Sequence, residues 1–483
     1  MTEAPVSMEA EQAGRALEAA LTEPRKPMTA ADAAAKSGLA LRDAAKGLHW
    51  LTERYRGHLR VTGDGELIFL FPNGFTRPWI LKDRVSTALE RVGHALGGFA
   101  RFVIRAWLLI VMVAYVAAFV AILIGLMFAR DNGGRRSDGG GAVLYVMLRS
   151  LSDALFWTFH PWSPIAVRGP LTLARDDEFD DRAARDETPF YEKVNRFVFG
   201  PTEPPSDPRE MERRLVAQIR AGRGRIGLAD VMRVTGLPRE DSDMLMARLM
   251  VDYEGDVEVS EEGGISYRFE ALRKSATGGV TRAPRAAWDA PVVAPPLTGN
   301  TGGANFLIAA INGFNALMSL VALGLGLTVS NALALMRGVA LAKLPADGTA
   351  IALGVVPLVF SLAILLMPLG RALLRPMREA RAAKERARLS VVRVVVNNAK
   401  DAGSVSDRAL TTAWKSAAGR EPAPDELRRV VLDLGGEVED REDGELRYRF
   451  ADLTTEARAV AKARAEASDD EVRAGPVVFT SER

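Results

Sequence analysis

A chain of 483 residues exceeds what one hydrophobic core fills and implies three or four units of roughly 100–200 residues each. Its 63 basic and 61 acidic residues nearly cancel, so there is no global attraction to nucleic acid and any basic surface is local. The absence of cysteine excludes disulfides, thiolate metal sites, cysteine-ligated clusters and cysteine nucleophiles. Residues 1–12 are acidic and the first long apolar run begins after residue 100, so no cleavable signal peptide is expected.

Residues 8–22 predict an amphipathic helix, and Thr29 with Asp32 marks the N-cap of a short Ala-rich helix ending near Lys36. Ser37, Gly38 and Leu39 turn the chain into a third helix over about 41–54. Residues 55–71, YRGHLRVTGDGELIFLF, then alternate with period two through Leu59, Phe69 and Phe71 around a glycine-rich tip, the pattern of a β-hairpin. This stretch recurs without a gap at 253–269, through Val257, Tyr267 and Phe269, and at 434–450, through Val438, Tyr448 and Phe450, and these alternating residues are the expected hairpin core. Helical patterns precede each copy, with Thr235, Gly236 and Leu237 matching the earlier turn. The expected fold is mainly α with small β-hairpins: three helix–helix–helix–hairpin units within 1–80, 189–275 and 388–456, joined through a helical transmembrane domain.

Between the first two copies, residues 106–129 are without charge and long enough to cross a bilayer, giving a transmembrane helix within 101–130. A charged Gly-rich loop follows at 130–141. Residues 142–166 are apolar but carry Arg149 and Asp153 a helical turn apart, which leaves two readings: a return through the membrane or a helix lying in its interface. Residues 190–199 predict an aromatic amphipathic helix, and 276–303, rich in Pro, Gly and Ala, a linker. Two uncharged runs, 304–336 and 349–370, form a transmembrane hairpin over 304–370. Residues 457–483 read as a helical or disordered tail.

Seven basic residues from Arg371 to Arg388 outweigh the two in the loop between those runs, so both hairpin ends are expected to face the cytoplasm from the inner membrane. Basic residues between Arg77 and Arg105 put the first unit on that side too. An even number of crossings, four, follows, although Arg130, Arg135 and Arg136 oppose an external turn after the first span.

The four histidines are scattered, and no P-loop, HExxH, GxSxG or dinucleotide pattern is present, so no catalytic, cofactor or metal site is expected. The candidate nucleic-acid contacts are Arg42, Lys46, Arg54, Arg56 and Arg60 of the first unit. The matching helices of the other two carry acidic residues such as Glu240, Asp241, Asp243 and Asp425, which repel phosphate. The expected function is therefore a membrane scaffold without catalytic activity. Its partners are the lipid bilayer and an unknown protein or a second copy, with nucleic acid not expected. The alternatives are a membrane-tethered DNA-binding regulator acting through the first unit and a small channel or transporter.

The order helix, helix, helix, hairpin resembles the winged helix. The Gly-rich loop at 130–141, the aromatic stretch 156–161, the turn Phe197, Val198, Phe199, Gly200 and the hairpin 263–269 occur in an order that resembles a poorly characterised family of bacterial, cyanobacterial and plastid membrane proteins with winged-helix-like repeats. That resemblance implies an integral membrane protein. Some plant members carry an iron–sulfur assembly name, a role that a chain without cysteine does not match.

Overall fold

The computed structural model describes residues 8–75, 106–124, 188–201, 207–276, 282–337, 339, 343, 349–399, 403–439, 446–467 and 474–481. In chain order they form α1 (Ala10–Ala20), α2 (Ala30–Ser37), α3 (Leu41–Tyr55), β1 (His58–Thr62), β2 (Leu67–Leu70), α4 (Ala106–Ile124) and α5 (Phe190–Phe199). Next come α6 (Glu210–Ala221), β3 (Arg225–Ile226), α7 (Leu228–Thr235), α8 (Arg239–Asp252), β4 (Asp256–Val259), β5 (Ile265–Arg268) and α9 (Glu270–Arg273). The remainder is α10 (Gly302–Gly324), α11 (Val329–Met336), α12 (Val356–Asn398), β6 (Ser404–Ser406), α13 (Asp407–Ala418), α14 (Pro424–Asp433), β7 (Glu437–Glu439), β8 (Arg447–Arg449), α15 (Ala451–Glu466) and β9 (Val477–Thr480). The protein is mainly helical, and its strands form three small three-stranded sheets. Two compact units result, one of residues 1–84, 205–293 and 379–483, the other of 85–204 and 294–378.

In the first unit, local chemistry recurs at matching positions. Thr29 and Asp32 close a capping box on α2, which ends at Gly38 in the left-handed region (φ 72°). The helices α7 and α13 end the same way at Gly236 (φ 72°) and Gly419 (φ 74°). Ser37 and Thr235 each donate back to a carbonyl of their own helix, Ala33 or Val231, and accept from the N–H of Leu39 or Leu237. After each third helix a glycine (Gly57, Gly255, Gly436) donates its N–H to Thr52, Met250 or Val431. A Cβ at those glycines would stand 2.8, 2.5 and 2.7 Å from a ring carbon of Phe71, Phe269 and Phe450 respectively, so the absent side chain is what lets the ring close over the helix end.

Each hairpin pairs antiparallel in one register, with Leu59 opposite Phe69, Val257 opposite Tyr267 and Val438 opposite Tyr448. The residue entering the second helix adds to the second hairpin strand, Ile226 opposite Tyr267 and Val405 opposite Tyr448, and Met28 bridges Phe69 in the corresponding place. Phe69, Phe71, Phe269, Tyr448 and Phe450 are buried, and Leu59 and Tyr267 pack partly against the core. The two valines depart from the expected hairpin core: Val257 and Val438 are 52% and 64% exposed. The cause is sheet order, because β4 and β7 are edge strands that overhang the core, whereas β1 lies between β2 and β9.

The groups also cover one another. Leu17, Leu48, Leu51 and Phe71 share one hydrophobic cluster with Leu215, Ile219, Leu249 and Phe269, so the first two helix–hairpin groups have a common core. At its polar margin Arg220 pairs with Asp32 at 2.7 Å, the Ala276 N–H donates to Asp32, and Thr29 donates to the Lys274 carbonyl. Burial opposes ionisation of Asp32, but Arg220 and the backbone N–H groups of Ala276 and Thr29 outweigh it and hold the carboxyl below its ordinary value. In turn Leu228, Ala229 and Met232 of α7 join the cluster formed by Val391, Val395 and Trp414. Along α15, Arg464 pairs with Asp230 at 2.6 Å and Arg239 with Asp452 at 2.8 Å, while Glu456 accepts the Leu228 N–H at the start of α7.

Part of the expected linker, 283–292, is fastened. Its carbonyls at Pro284, Arg285 and Val292 accept from Arg233, Arg214 and Arg386 at 3.0–3.1 Å. The first helix of the third group is the end of the long α12.

In the second unit, Ala106–Ile124 and Gly302–Gly324 are long and apolar enough to cross a membrane, as is the helix Ile351–Asn398, whose last part, from residue 379, belongs to the first unit. The expected single run 304–336 is interrupted, because Thr328 caps α11 by accepting the Asn331 N–H. Polarity is inverted relative to a water-soluble bundle: Asn312, Asn315, Ser319 and Ser361 are fully buried, while Leu317, Leu320, Leu366 and Leu369 are exposed. Asn315 donates to the Met112 carbonyl of α4 at 3.0 Å, and Arg371 donates to the Phe197 carbonyl of α5. The loop 130–141, the stretch 142–166 and the basic residues between Arg77 and Arg105 lie outside the described residues.

Two expectations follow. Gly255→Ala forces its methyl onto the Phe269 ring and should cost about 1–3 kcal/mol, read as a lower thermal midpoint of the detergent-solubilised chain. An unchanged midpoint would remove the glycine–ring contact from the account. The Glu456 carboxyl is pushed up to about 7, chiefly by burial, with Asp243 and Asp230 adding to the rise and the Leu228 N–H and Arg239 opposing it. Because the folded value lies above the unfolded one, the stabilisation is full below about pH 4.5 and is lost as pH rises through 7, on the order of 3 kcal/mol at most. Urea unfolding between pH 5 and 8 should show this loss, and Glu456→Gln should flatten it; an equal slope in both proteins would refute the assignment.

Candidate interaction surfaces

The third helix of each group fixes one face in the core and leaves the other in water. In α3, Leu48, Leu51 and Tyr55 are buried, which turns Arg42 and Lys46 outward. Arg42 and Lys46, two of the expected nucleic-acid contacts, lie one helical turn apart on that exposed side. Arg42 pairs with Glu254 of the second group at 3.0 Å, and Lys46 lies 4.0 Å from Asp43. The Arg54 guanidinium stands 4.7 Å over the Trp50 ring centroid. Arg56 occupies the left-handed position (φ 50°) that ends α3, and Arg60 is half-buried on β1. Two of the five are thus paired with acids and a third is stacked.

The other two groups expose apolar side chains at matching positions. In the second, Val251 of α8, Val257 of β4 and Ile265 of β5 are 62%, 52% and 41% exposed. In the third, Leu432 of α14, Val438 of β7 and Leu446 beside β8 are 59%, 64% and 41% exposed. Register places the hairpin members of each trio on the face that carries Tyr267 or Tyr448, beyond the edge of the core. Burial pushes the Tyr448 phenol up to about 12, reinforced by its hydrogen bond to Asp407, so it stays a neutral donor beneath its trio. Tyr267 is raised for the same first reason, burial.

Charge differs between the two. Glu240, Asp241, Asp243, Glu254 and Asp256 are exposed in the second group, Glu254 paired with Arg42 and Asp256 with Arg268. The third is mixed, with Asp425, Asp433 and Glu437 beside Arg428 and Arg429. Such surfaces suit a protein partner with apolar anchors, and the second favours a basic rim on that partner. The sequence held one signal for this: Met244 and Val251 of α8 are seven residues apart and out of phase with the buried Met246 and Leu249. Burial of the valines in the hairpins was expected because alternation gives a face but not how far the core extends under it.

Among the described residues no group of His, Asp and Glu is placed to hold a metal ion. A shallow cavity of about 340 Å³ lies between residues 288–292 and Arg386, Leu389 and Arg393, along the seam that the Arg386 bond to Val292 closes.

Among proteins of curated description, the chain is similar to an uncharacterised chloroplastic protein of Arabidopsis thaliana, 25% identical over 274 residues, which cover 54% of this chain and 49% of that one. The chain thus spans about half the length of that relative. No family model and no solved structure matches it.

Proposed function

We propose that the chain is an integral membrane scaffold whose three helix–hairpin groups are repeated winged-helix-like domains on the cytoplasmic side of the inner membrane, binding a protein partner and catalysing no reaction. The observation that carries this reading is the pair of exposed apolar trios at matching positions of the second and third groups. In a winged helix the third helix and the hairpin form the recognition face. Here that face is apolar and acidic in the second group and apolar with mixed charge in the third, chemistry that fits protein and opposes a phosphate backbone. Membrane attachment rests on the three long apolar helices, and orientation on the basic residues from Arg371 to Arg388.

The full chain, solubilised from its membrane in mild detergent, should retain a stoichiometric soluble protein. The quadruple variant Val251→Asp, Val257→Asp, Leu432→Asp, Val438→Asp should lose that protein. These side chains are exposed, so each change should alter stability by no more than about 0.5 kcal/mol. Retention of the same partner by the variant would sink the surface assignment. Salt-sensitive, sequence-specific DNA binding that disappears in Arg42→Ala, Lys46→Ala would establish the membrane-tethered regulator instead.

A further inference from the structure

The three sheets differ at one edge. In the second and third, β4 and β7 end the sheet. In the first, the corresponding strand β1 is covered by β9, which pairs antiparallel with it from more than 400 residues away, Arg60 opposite Thr480 and Val61 opposite Phe479. The pairing is made by backbone: the Ser481 N–H donates to the Leu59 carbonyl and the Gly63 N–H to the Pro476 carbonyl, both at 2.9 Å. The Leu59 N–H is met by the Ser481 hydroxyl at 2.8 Å. The side chains of β9 contribute little burial, since Val477, Val478 and Phe479 are 49%, 73% and 63% exposed.

A strand held by its backbone, with its apolar side chains left in water, is a seat that other extended segments of similar shape can take. Simple edge protection accounts for it poorly. Proteins blunt edges with charge, proline or a bulge. The strand β9 is short and its pairing shifts register between Val61 and Thr62, but its uncharged Val-Val-Phe-Thr sequence still moves an apolar open edge outward by one strand.

We propose that the outer edge of β1 is a strand-accepting site, occupied in cis by residues 476–481 and taken over by a short extended segment of a partner protein rich in β-branched and aromatic side chains. The seat is independent of the scaffold reading; only the partner that fills it rests on that reading. The partner's strand replaces the backbone bonds at Leu59 and Gly63, and the released segment vacates the sheet.

The test uses the full chain in detergent and a fluorescent peptide of the sequence AGPVVFTS, residues 474–481. The double variant Val477→Pro, Phe479→Pro removes two strand donors and frees the seat. The peptide should bind this variant about tenfold or more tighter than the parent, because the parent's own strand competes. Amide exchange gives the second readout: Gly63 should be protected in the parent, unprotected in the variant, and protected again when peptide is added. Equal affinity for both proteins, no binding to the variant, or unchanged Gly63 protection in the variant would each overturn the proposal. Peptide binding by a chain that co-purifies with no partner would leave the seat standing and remove the scaffold reading alone.

Discussion

Covering a short helix sets the arrangement of the first unit. Both α2 and α7 have eight residues, too few to persist in water on hydrogen bonding alone, so each needs apolar cover on more than one side. Their own groups supply one side and the following group supplies the other. Gly38 at the end of α2 comes so close to the Arg209 carbonyl that a Cβ would stand 2.8 Å from it. Gly236 at the end of α7 meets Leu389 of α12 in the same way, at 2.6 Å. The left-handed glycine therefore ends the helix and also admits the neighbour, and Ala34 and Met232, four residues earlier, are fully buried by it. The polar joints with Arg220 and Glu456 fall at the opposite ends of these two helices, where free N–H groups or nearby carboxylates need partners.

The second unit answers a different solvent. In water, exposed Leu317, Leu320, Leu366 and Leu369 would be costly and buried Asn312 and Asn315 would be easily replaced. In hydrocarbon the outward leucines cost nothing, and the asparagines serve as inter-helix hydrogen-bonding groups, as the Asn315 bond to the Met112 carbonyl does. Length and hydropathy thus agree with the direction in which the side chains point.

Much of this was legible in the sequence because it is local. Capping at Thr29, the turns at Gly38 and Gly236 and the hairpin registers are each set within a few residues, and the sequence carries them in full. What could not be read depends on partners distant in the chain. The fastening of 283–292 requires Arg214, Arg233 and Arg386 to arrive from three helices, and a Pro-rich composition gives no hint of it. Arg42 reads as a free cation until Glu254 is placed beside it. Residues 477–480 fall in the stretch 457–483 that reads as a helical or disordered tail, because a four-residue strand is visible only beside the edge that receives it.

The same reasoning distinguishes the second helix of the third group from α2 and α7. That helix, α13, also ends at a left-handed glycine, but among the described residues nothing lies within 4 Å of a Cβ built at Gly419. Where α2 has Ala34 and α7 has Met232, α13 has Lys415, which is exposed together with Thr412 and Ser416. It compensates with length, twelve residues against eight, and with its own buried Leu410 and Trp414. An interface that joins unlike surfaces in sequence adds members without limit unless one member presents a face that the next cannot use. Lysine at the position of the buried methionine is such a face, since a following group would have to desolvate its ammonium together with the Glu421 carboxylate that it meets at 2.9 Å. Among the described residues α13 is therefore packed on its own group's side and polar on the side that α2 and α7 bury.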